Sequence, residues 1–318
     1  MPINLDEAIG AELDPVEFSW TSSDVQLYHL GLGAGGDPMD PRELRYLTDN
    51  TPQVLPTFGN VAQSFHMTEP PTVKFPGIDI ELSRVLHASE AISAPGPIPA
   101  EGTGTAVTRF TEIWDKGKAA VIWSETSVTD PAGKLLWTQK RSIFARGEGG
   151  FGGDRGPSVG VVIPDRSPDL EIDVPTLPQQ ALLYRLCGDR NPLHSDPEFA
   201  SAAGFPRPIL HGLATYGMAA RGLIERCAEG DAHRLTSVRA RLSSPVFPGE
   251  TLRLEIWALG QGELAGWGSK VGPANFQLHR RASQFVAAEL LRDGGRLLAQ
   301  RALQYLTIAD VARKGRFL

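Results

Sequence analysis

Residues 184–212 read YRLCGDRNPLHSDPEFASAAGFPRPILHG, and this stretch decides the fold: it holds two helix boundaries, an Asn-Pro turn, two histidines and several carboxylates. Just upstream, Thr176 with Gln179 three residues on has the spacing of a capping box. It predicts a short helix whose apolar face is Ala181, Leu182, Leu183 and Leu186. Gly188 stands where a helix C-cap glycine belongs, so Asp189 is the first residue past a helix end. Arg190-Asn191-Pro192 is turn chemistry. Asp196-Pro197 reads as the N-cap and first position of the next helix. Asp189 and His194 therefore share one short loop braced by a helix at each end, and such a loop can aim both side chains at one point. A plain capping loop would account for Asn191 and Asp196 but asks for no histidine at 194.

The bulk properties narrow the setting. A chain of 318 residues suggests about two domains. A hydrophobic content of 41% with 21% charged residues is ordinary for a globular chain. A formal net charge of −6 gives no general attraction to nucleic acid. With Cys187 and Cys227 as the two cysteines, a disulfide framework is excluded and a reducing compartment fits. Cys187, beside Gly188, could be read as a nucleophile, but a small buried packing residue is the commoner use. The start MPINLDEAIG lacks a basic segment followed by an apolar run, no apolar run is long enough to span a bilayer, and Lys314 to Leu318 is not an SKL-type address. The expectation is a cytoplasmic protein with no membrane span.

Along the chain, Ser22-Ser23-Asp24 can cap a helix over 25–30. Gly31 to Gly36 matches G-x-G-x-x-G by letter, yet Asp37-Pro38 follows and no βαβ unit surrounds it, so it reads as a loop. Residues 76–88 and 103–146 are strand-like, with turn signals at Asp115-Lys116-Gly117 and at Asp130 to Gly133. No helix alternates with these strands, which disfavours a parallel sheet. Residues 147–158, GEGGFGGDRGPS, lack the Gly-Lys-Ser/Thr ending of a phosphate loop and read as a linker between two halves. A helix over 213–227 follows from Leu213, Tyr216, Gly217, Ala220, Ile224 and Cys227, and its many small residues permit close packing. Strands are expected near 238–242, 252–256, 284–291 and 301–308; between 260 and 284 the pattern sets no strand edges. Two landmarks repeat: Val85-Leu86-His87 parallels Ile209-Leu210-His211, and the Pro97 to Thr103 segment parallels Pro245 to Thr251. The longer spacing in the second half is about one helix, so the first half reads as the same unit without its long helix.

Tyr184-x-x-x-Gly188-Asp189-x-Asn191-Pro192-x-His194, followed by Gly204-Phe205-x-x-Pro208-Ile209-Leu210-His211-Gly212, resembles the signature of the hydratase 2, or MaoC-like, family. These are (R)-specific enoyl-CoA hydratases and dehydratases. The resemblance implies an α+β double hot-dog, with antiparallel sheet wrapped around a long helix. It implies a degenerate, noncatalytic unit over residues 1–150 that accommodates the acyl chain, and a catalytic unit over 159–318. Their sheets should pair edge to edge, since each alone leaves an open strand edge. The implied reaction is reversible hydration of a trans-2-enoyl-CoA to an (R)-3-hydroxyacyl-CoA, as in fatty acid or sterol breakdown, with no cofactor. Asp189 and His194 would hold and activate one water. The backbone N–H of Gly212, at a helix start, would stabilise charge on the thioester oxygen. Asn191 either positions substrate or shapes the loop. His211 reads as structural, and His29, His66, His87, His233 and His279 carry no motif. The rival constellation is a metal on His194, Asp196 and His211; its spacing matches no zinc pattern and Asp196 is better used as a cap, so no metal is expected. Arg190, Arg207, Arg239 and Arg241 could meet CoA phosphates or simply be solvated. The partners expected are an acyl-CoA and a second copy of the chain. Two other classes stay open: a noncatalytic acyl-binding subunit of a heteromeric dehydratase, and a hot-dog thioesterase. The missing helix predicts a groove for long or bulky acyl groups, a steroid side chain among them, unless Phe58, Phe65 and Phe75 fill it.

Overall fold

The computed structural model describes residues 3–48, 51–157, 165–260, 263–271 and 283–290. Within them run β1 (Val16–Trp20), β2 (Val73–Phe75), β3 (Ile78–Ile80), β4 (Val85–Ser93), β5 (Gly102–Asp115), β6 (Ala119–Thr129) and β7 (Leu135–Arg146). The second half supplies β8 (Leu170–Pro175), β9 (Leu235–Arg241), β10 (Thr251–Gly260), β11 (Glu263–Val271) and β12 (Ser283–Leu290). The helices are α1 (Leu5–Ala8), α2 (Ser22–Gly31), α3 (Pro41–Leu44), α4 (Gly59–Ala62), α5 (Gln180–Tyr184), α6 (Pro197–Ala202) and α7 (Gly212–Cys227).

All strands but β2 and β3 join one 10-stranded sheet in the order β1-β5-β6-β7-β4-β9-β12-β11-β10-β8. Every pairing in it is antiparallel. The order is a mirror about the β4–β9 seam, where Ala91 faces Arg239. Edge-to-edge pairing thus closes the open strand of each half. β9 shows why the seam holds its register. Val238 and Ala240 point into the core and Arg239 and Arg241 out of it, and a slip of one residue would exchange the two sets.

The core is shared. Trp20, Tyr28, Phe58 and Trp137 of the first half pack in one cluster with Leu213, Met218, Leu223 and Ile224 of α7. At about 1.5–3 kcal/mol per large buried apolar side chain, this cluster ties the halves together. Helix α7 is buried continuously from Leu213 to Ile224, as a helix wrapped by a sheet must be. Its small residues matter: a Cβ on Gly217 would lie 2.7 Å from Leu32 Cδ1 and 2.8 Å from the Tyr28 hydroxyl. None of the helices among the described residues is long and apolar enough to cross a membrane.

Several sequence expectations change here. The capping box at Thr176 does not form: its hydroxyl donates to the Glu250 carbonyl at 2.6 Å and accepts from the Gly249 N–H at 2.9 Å. The helix starts later, at Gln180, and passes into a 3-10 turn at Arg185. Leu182 and Leu186, four residues apart, share the exposed face, while Ala181 and Tyr184 are buried. Helix α2 is capped by Thr21, whose side chain and that of Asp24 form the reciprocal box. Gly31 to Gly36 is the end of α2 and the loop after it. The Leu-His parallel also fails. Val85 to His87 open strand β4, whereas Ile209 to His211 lead into helix α7. The Pro97/Pro245 parallel holds, since those residues open matching loops after β4 and β9. Before β4 the first half nonetheless has no counterpart of α7 among the described residues: its longest helix there is the ten-residue α2, and the segment that packs on the sheet makes a 3-10 turn at Pro56–Phe58 and the four-residue α4. The strand expected at 301–308 lies outside the described residues.

Candidate active site

The catalytic-loop candidate begins at Gly188, whose φ of 95° is the left-handed region. A Cβ there would also lie 1.8 Å from the Ser64 carbonyl oxygen. Conformation and close approach both require glycine, and together they press the loop against the segment after α4. Asp189 follows, its Oδ1 accepting the Asn191 N–H at 3.2 Å. Asn191 caps a 3-10 turn, its Oδ1 accepting the Leu193 N–H at 3.0 Å. It shapes the loop by this bond. Asp196 accepts from the Glu198 and Phe199 N–H groups and starts α6, as its spacing to Pro197 implies.

His194 is buried, with Nδ1 2.9 Å from the Ile209 carbonyl. A carbonyl only accepts, so Nδ1 carries the hydrogen and the Nε2 lone pair is left for chemistry. His211, fully buried, donates from Nε2 to the Asp189 carbonyl at 3.2 Å and stacks on His194 with ring centroids 3.8 Å apart at 28°. One donor atom from each of Asp189, His194 and His211 lies within 4.8 Å of the others.

The electrostatics suit a neutral imidazole beside a carboxylate. Burial lowers the His194 pKa, with Asp189 and the Ile209 carbonyl opposing it. Burial also lowers His211, to about 3, helped by His194. For Asp189 burial works upward, but His211, His194 and the Asn191 N–H outweigh it and hold the carboxyl below its ordinary value. The same three residues have the donor types of a metal site. The stacked rings argue for another use: in-plane lone pairs of parallel rings run side by side instead of converging on one ion.

Gly212 opens α7, where a backbone N–H has no acceptor within the helix. A Cβ on it would lie 2.3 Å from Leu242 Cδ1, so packing of Leu242 joins close approach of a ligand as a reason for glycine. Cys187 is fully buried against α2 and burial pushes its thiol up, so it is a packing residue. Arg190 donates to the Met67 carbonyl and Arg207 to the Pro248 carbonyl. Phe58 and Phe65 are buried where the first half lacks a long helix, beside Trp20 and Trp137. Phe75 packs elsewhere, on Phe110.

One neighbour carried no sequence signal. His87, from β4 of the other half, places its Cβ 4.0 Å from where a Gly212 side chain would start. It is close enough to bear on the charge of both Asp189 and His194. Only the β4–β9 seam brings it there.

Two family models match the chain: MFE-2 hydratase 2 N-terminal domain over residues 18–147 and MaoC like domain over residues 161–272. The chain is 68% identical over 261 residues to the enoyl-CoA hydratase ChsH3 of Mycobacterium tuberculosis, covering 82% of this chain and 91% of that one. A solved MaoC-like dehydratase from Phytophthora capsici superposes with a TM-score of 0.75 at 29% identity, covering 92% of this chain and 99% of that one. A Mycobacterium tuberculosis protein described as having a double hotdog fold matches with a TM-score of 0.56 at 14% identity, covering 90% and 97%.

Proposed function

The chain belongs to the MaoC-like family in its double hot-dog, hydratase 2 form and is a hydro-lyase of the enoyl-CoA hydratase class, and on that premise we propose that Asp189, His194 and Gly212 carry the reaction. The observation that supports this most is the meeting of an ionised Asp189 with a neutral His194 whose Nε2 is left free by the Ile209 carbonyl. A water held between them donates one hydrogen to the carboxylate and one to Nε2. As its oxygen bonds to C3 of a trans-2-enoyl thioester, its proton passes to His194, and the C2–C3 π electrons move onto the thioester oxygen. The Gly212 N–H accommodates that negative charge at the helix start. The imidazolium, favoured by Asp189, returns the proton to C2, giving a 3-hydroxyacyl thioester of (R) configuration. His211 holds the Asp189 backbone and supports one face of the His194 ring. Asn191 keeps the loop in shape.

We further propose that the acyl tail runs towards the first half and that long or bulky acyl groups are preferred, a steroid side chain among them. This reading draws on the contrast between the four-residue α4 and the 16-residue α7. Phe58 and Phe65, buried beside α4, would have to yield to or line the tail. The test is loss of conjugated absorbance with crotonyl-CoA, an eight-carbon enoyl-CoA and a steroid-side-chain enoyl-CoA. Clear preference for the four-carbon substrate would end the size proposal. Release of free thiol without loss of the double bond would end the hydratase assignment.

A further inference from the structure

His87 sits in a built environment that the chemistry above does not use. β4 has a bulge between His87 and Ser89, and bulges next to active sites serve to re-aim a side chain. His87 Nε2 lies 3.0 Å from the Ser89 carbonyl and 2.8 Å from Glu90 Oε2. Both are acceptors, so Nε2 carries the hydrogen. Glu90 is buried and ordered by Asn60, by Gln139 Nε2 at 2.7 Å and by Arg141 Nε at 3.6 Å. A carboxylate buried this deeply needs such partners, and its Oε2 lies within ion-pair distance of the imidazole N–H. Nδ1 is left with no partner among the described residues, and as the nitrogen without hydrogen it is an acceptor. The side chain is partly exposed, and its Cβ lies 4.0 Å from where a Gly212 side chain would start, next to the position proposed for the thioester oxygen.

An acyl-CoA offers one donor near its thioester: the amide N–H of the pantetheine arm, two methylene groups beyond the sulfur. We propose that His87 is a positioning residue, its Nδ1 accepting that amide N–H and so seating the thioester oxygen on the Gly212 N–H. The half without the catalytic loop then completes the site. This rests on the hydratase reading above and adds to it a recognition element for the carrier arm. Such an element would serve coenzyme A and the phosphopantetheine of a carrier protein alike, because both carry the same amide.

The test uses His87→Ala, His87→Asn and His87→Gln in the full chain, after wild-type hydration of crotonyl-CoA has been measured. Asparagine places its amide atoms near the position of Nδ1, and glutamine places its own near Nε2. If Nδ1 positions substrate, Ala and Gln should each lose about tenfold in kcat/KM, the scale of one lost hydrogen bond, while Asn stays within about threefold of wild type. If the ring matters only through its tie to Glu90, the order reverses: Gln is rescued and Asn is not, and the proposal is overturned. It is also overturned if Ala, with an unchanged melting curve, keeps kcat/KM within about twofold. A wild-type chain that does not hydrate enoyl-CoA fails at the first measurement, which separates loss of the hydratase reading from loss of this one.

Discussion

The two halves of the sheet carry the same five strands in mirrored order, β1-β5-β6-β7-β4 against β8-β10-β11-β12-β9. What they place against that sheet differs. The second half lays a 16-residue helix on it and starts that helix at Gly212; the first offers four residues, Gly59–Ala62. The space is taken by aromatic rings, with Trp20 in contact with both Phe58 and Trp137. The lesson is that a hot-dog sheet needs something apolar against its concave face, while chemistry needs a helix N-terminus and a rigid loop. Among the described residues both halves meet the first requirement and the second half alone meets the second. The first half contributes to the site through the seam instead, by presenting His87 beside Gly212.

The sharpest break in this comparison is chemical. Asp189→Asn and His194→Ala should each reduce hydration by at least about a hundredfold with the fold intact, as loss of acid–base function does. His66→Ala, on the surface of the first half, should leave it unchanged. A folded Asp189 or His194 variant keeping more than about a tenth of the rate would remove that residue from the mechanism.

Next comes the contact between loop and first half. Gly188→Ala places a Cβ into the Ser64 carbonyl at a positive φ and should cost about 3 kcal/mol or more in urea unfolding. Gly133→Ala, also at positive φ but with open space around it, should cost only about 1 kcal/mol. Equal costs would show that close approach at Gly188 contributes nothing beyond backbone conformation.

A third comparison sets one buried histidine from each half side by side. Burial pushes His29 down to about 4, with the Tyr46 carbonyl opposing it, and pushes His211 down to about 3. His29 also accepts the Leu55 N–H on Nε2, a bond that protonation would break. Unfolding releases both rings to their ordinary pKa near 6.5, so below that value the unfolded chain binds protons that the folded chain does not. Stability should therefore be full above about pH 6.5 and fall as the pH is lowered towards 4, by up to about 1.4 kcal/mol per pH unit for each ring. Urea midpoints at pH 7, 6 and 5 measure this, and His29→Gln should lower the slope by one proton's worth. Midpoints that do not move over that range would contradict neutral burial of either ring.

Capping and turn chemistry act over a few residues, so the 188–197 loop was legible in advance. Gly188, Asn191 and Asp196-Pro197 do locally what their spacing implies, and Asp189 and His194 meet as a result. The antiparallel strands and α7 were legible for the same reason, each from its own periodicity. Thr176 misled because a local cap lost to bonds with Glu250 and Gly249, distant in the chain. The apolar run 181–186 misled because Leu182 and Leu186, four apart, share the solvent face while Ala181 and Tyr184 take the buried one.

By itself, then, the sequence determined the antiparallel sheet, the long helix and the loop that holds Asp189 and His194. Only the tertiary structure decided that His211 stacks on His194, that His87 reaches the site from the other half, and that aromatic rings stand where a second helix would lie. The physical reason is range. Hydrogen-bonding caps and hydrophobic periods are written within a turn or a strand, whereas those three facts depend on strand register at β4–β9 and on volume filled by residues far apart in the chain.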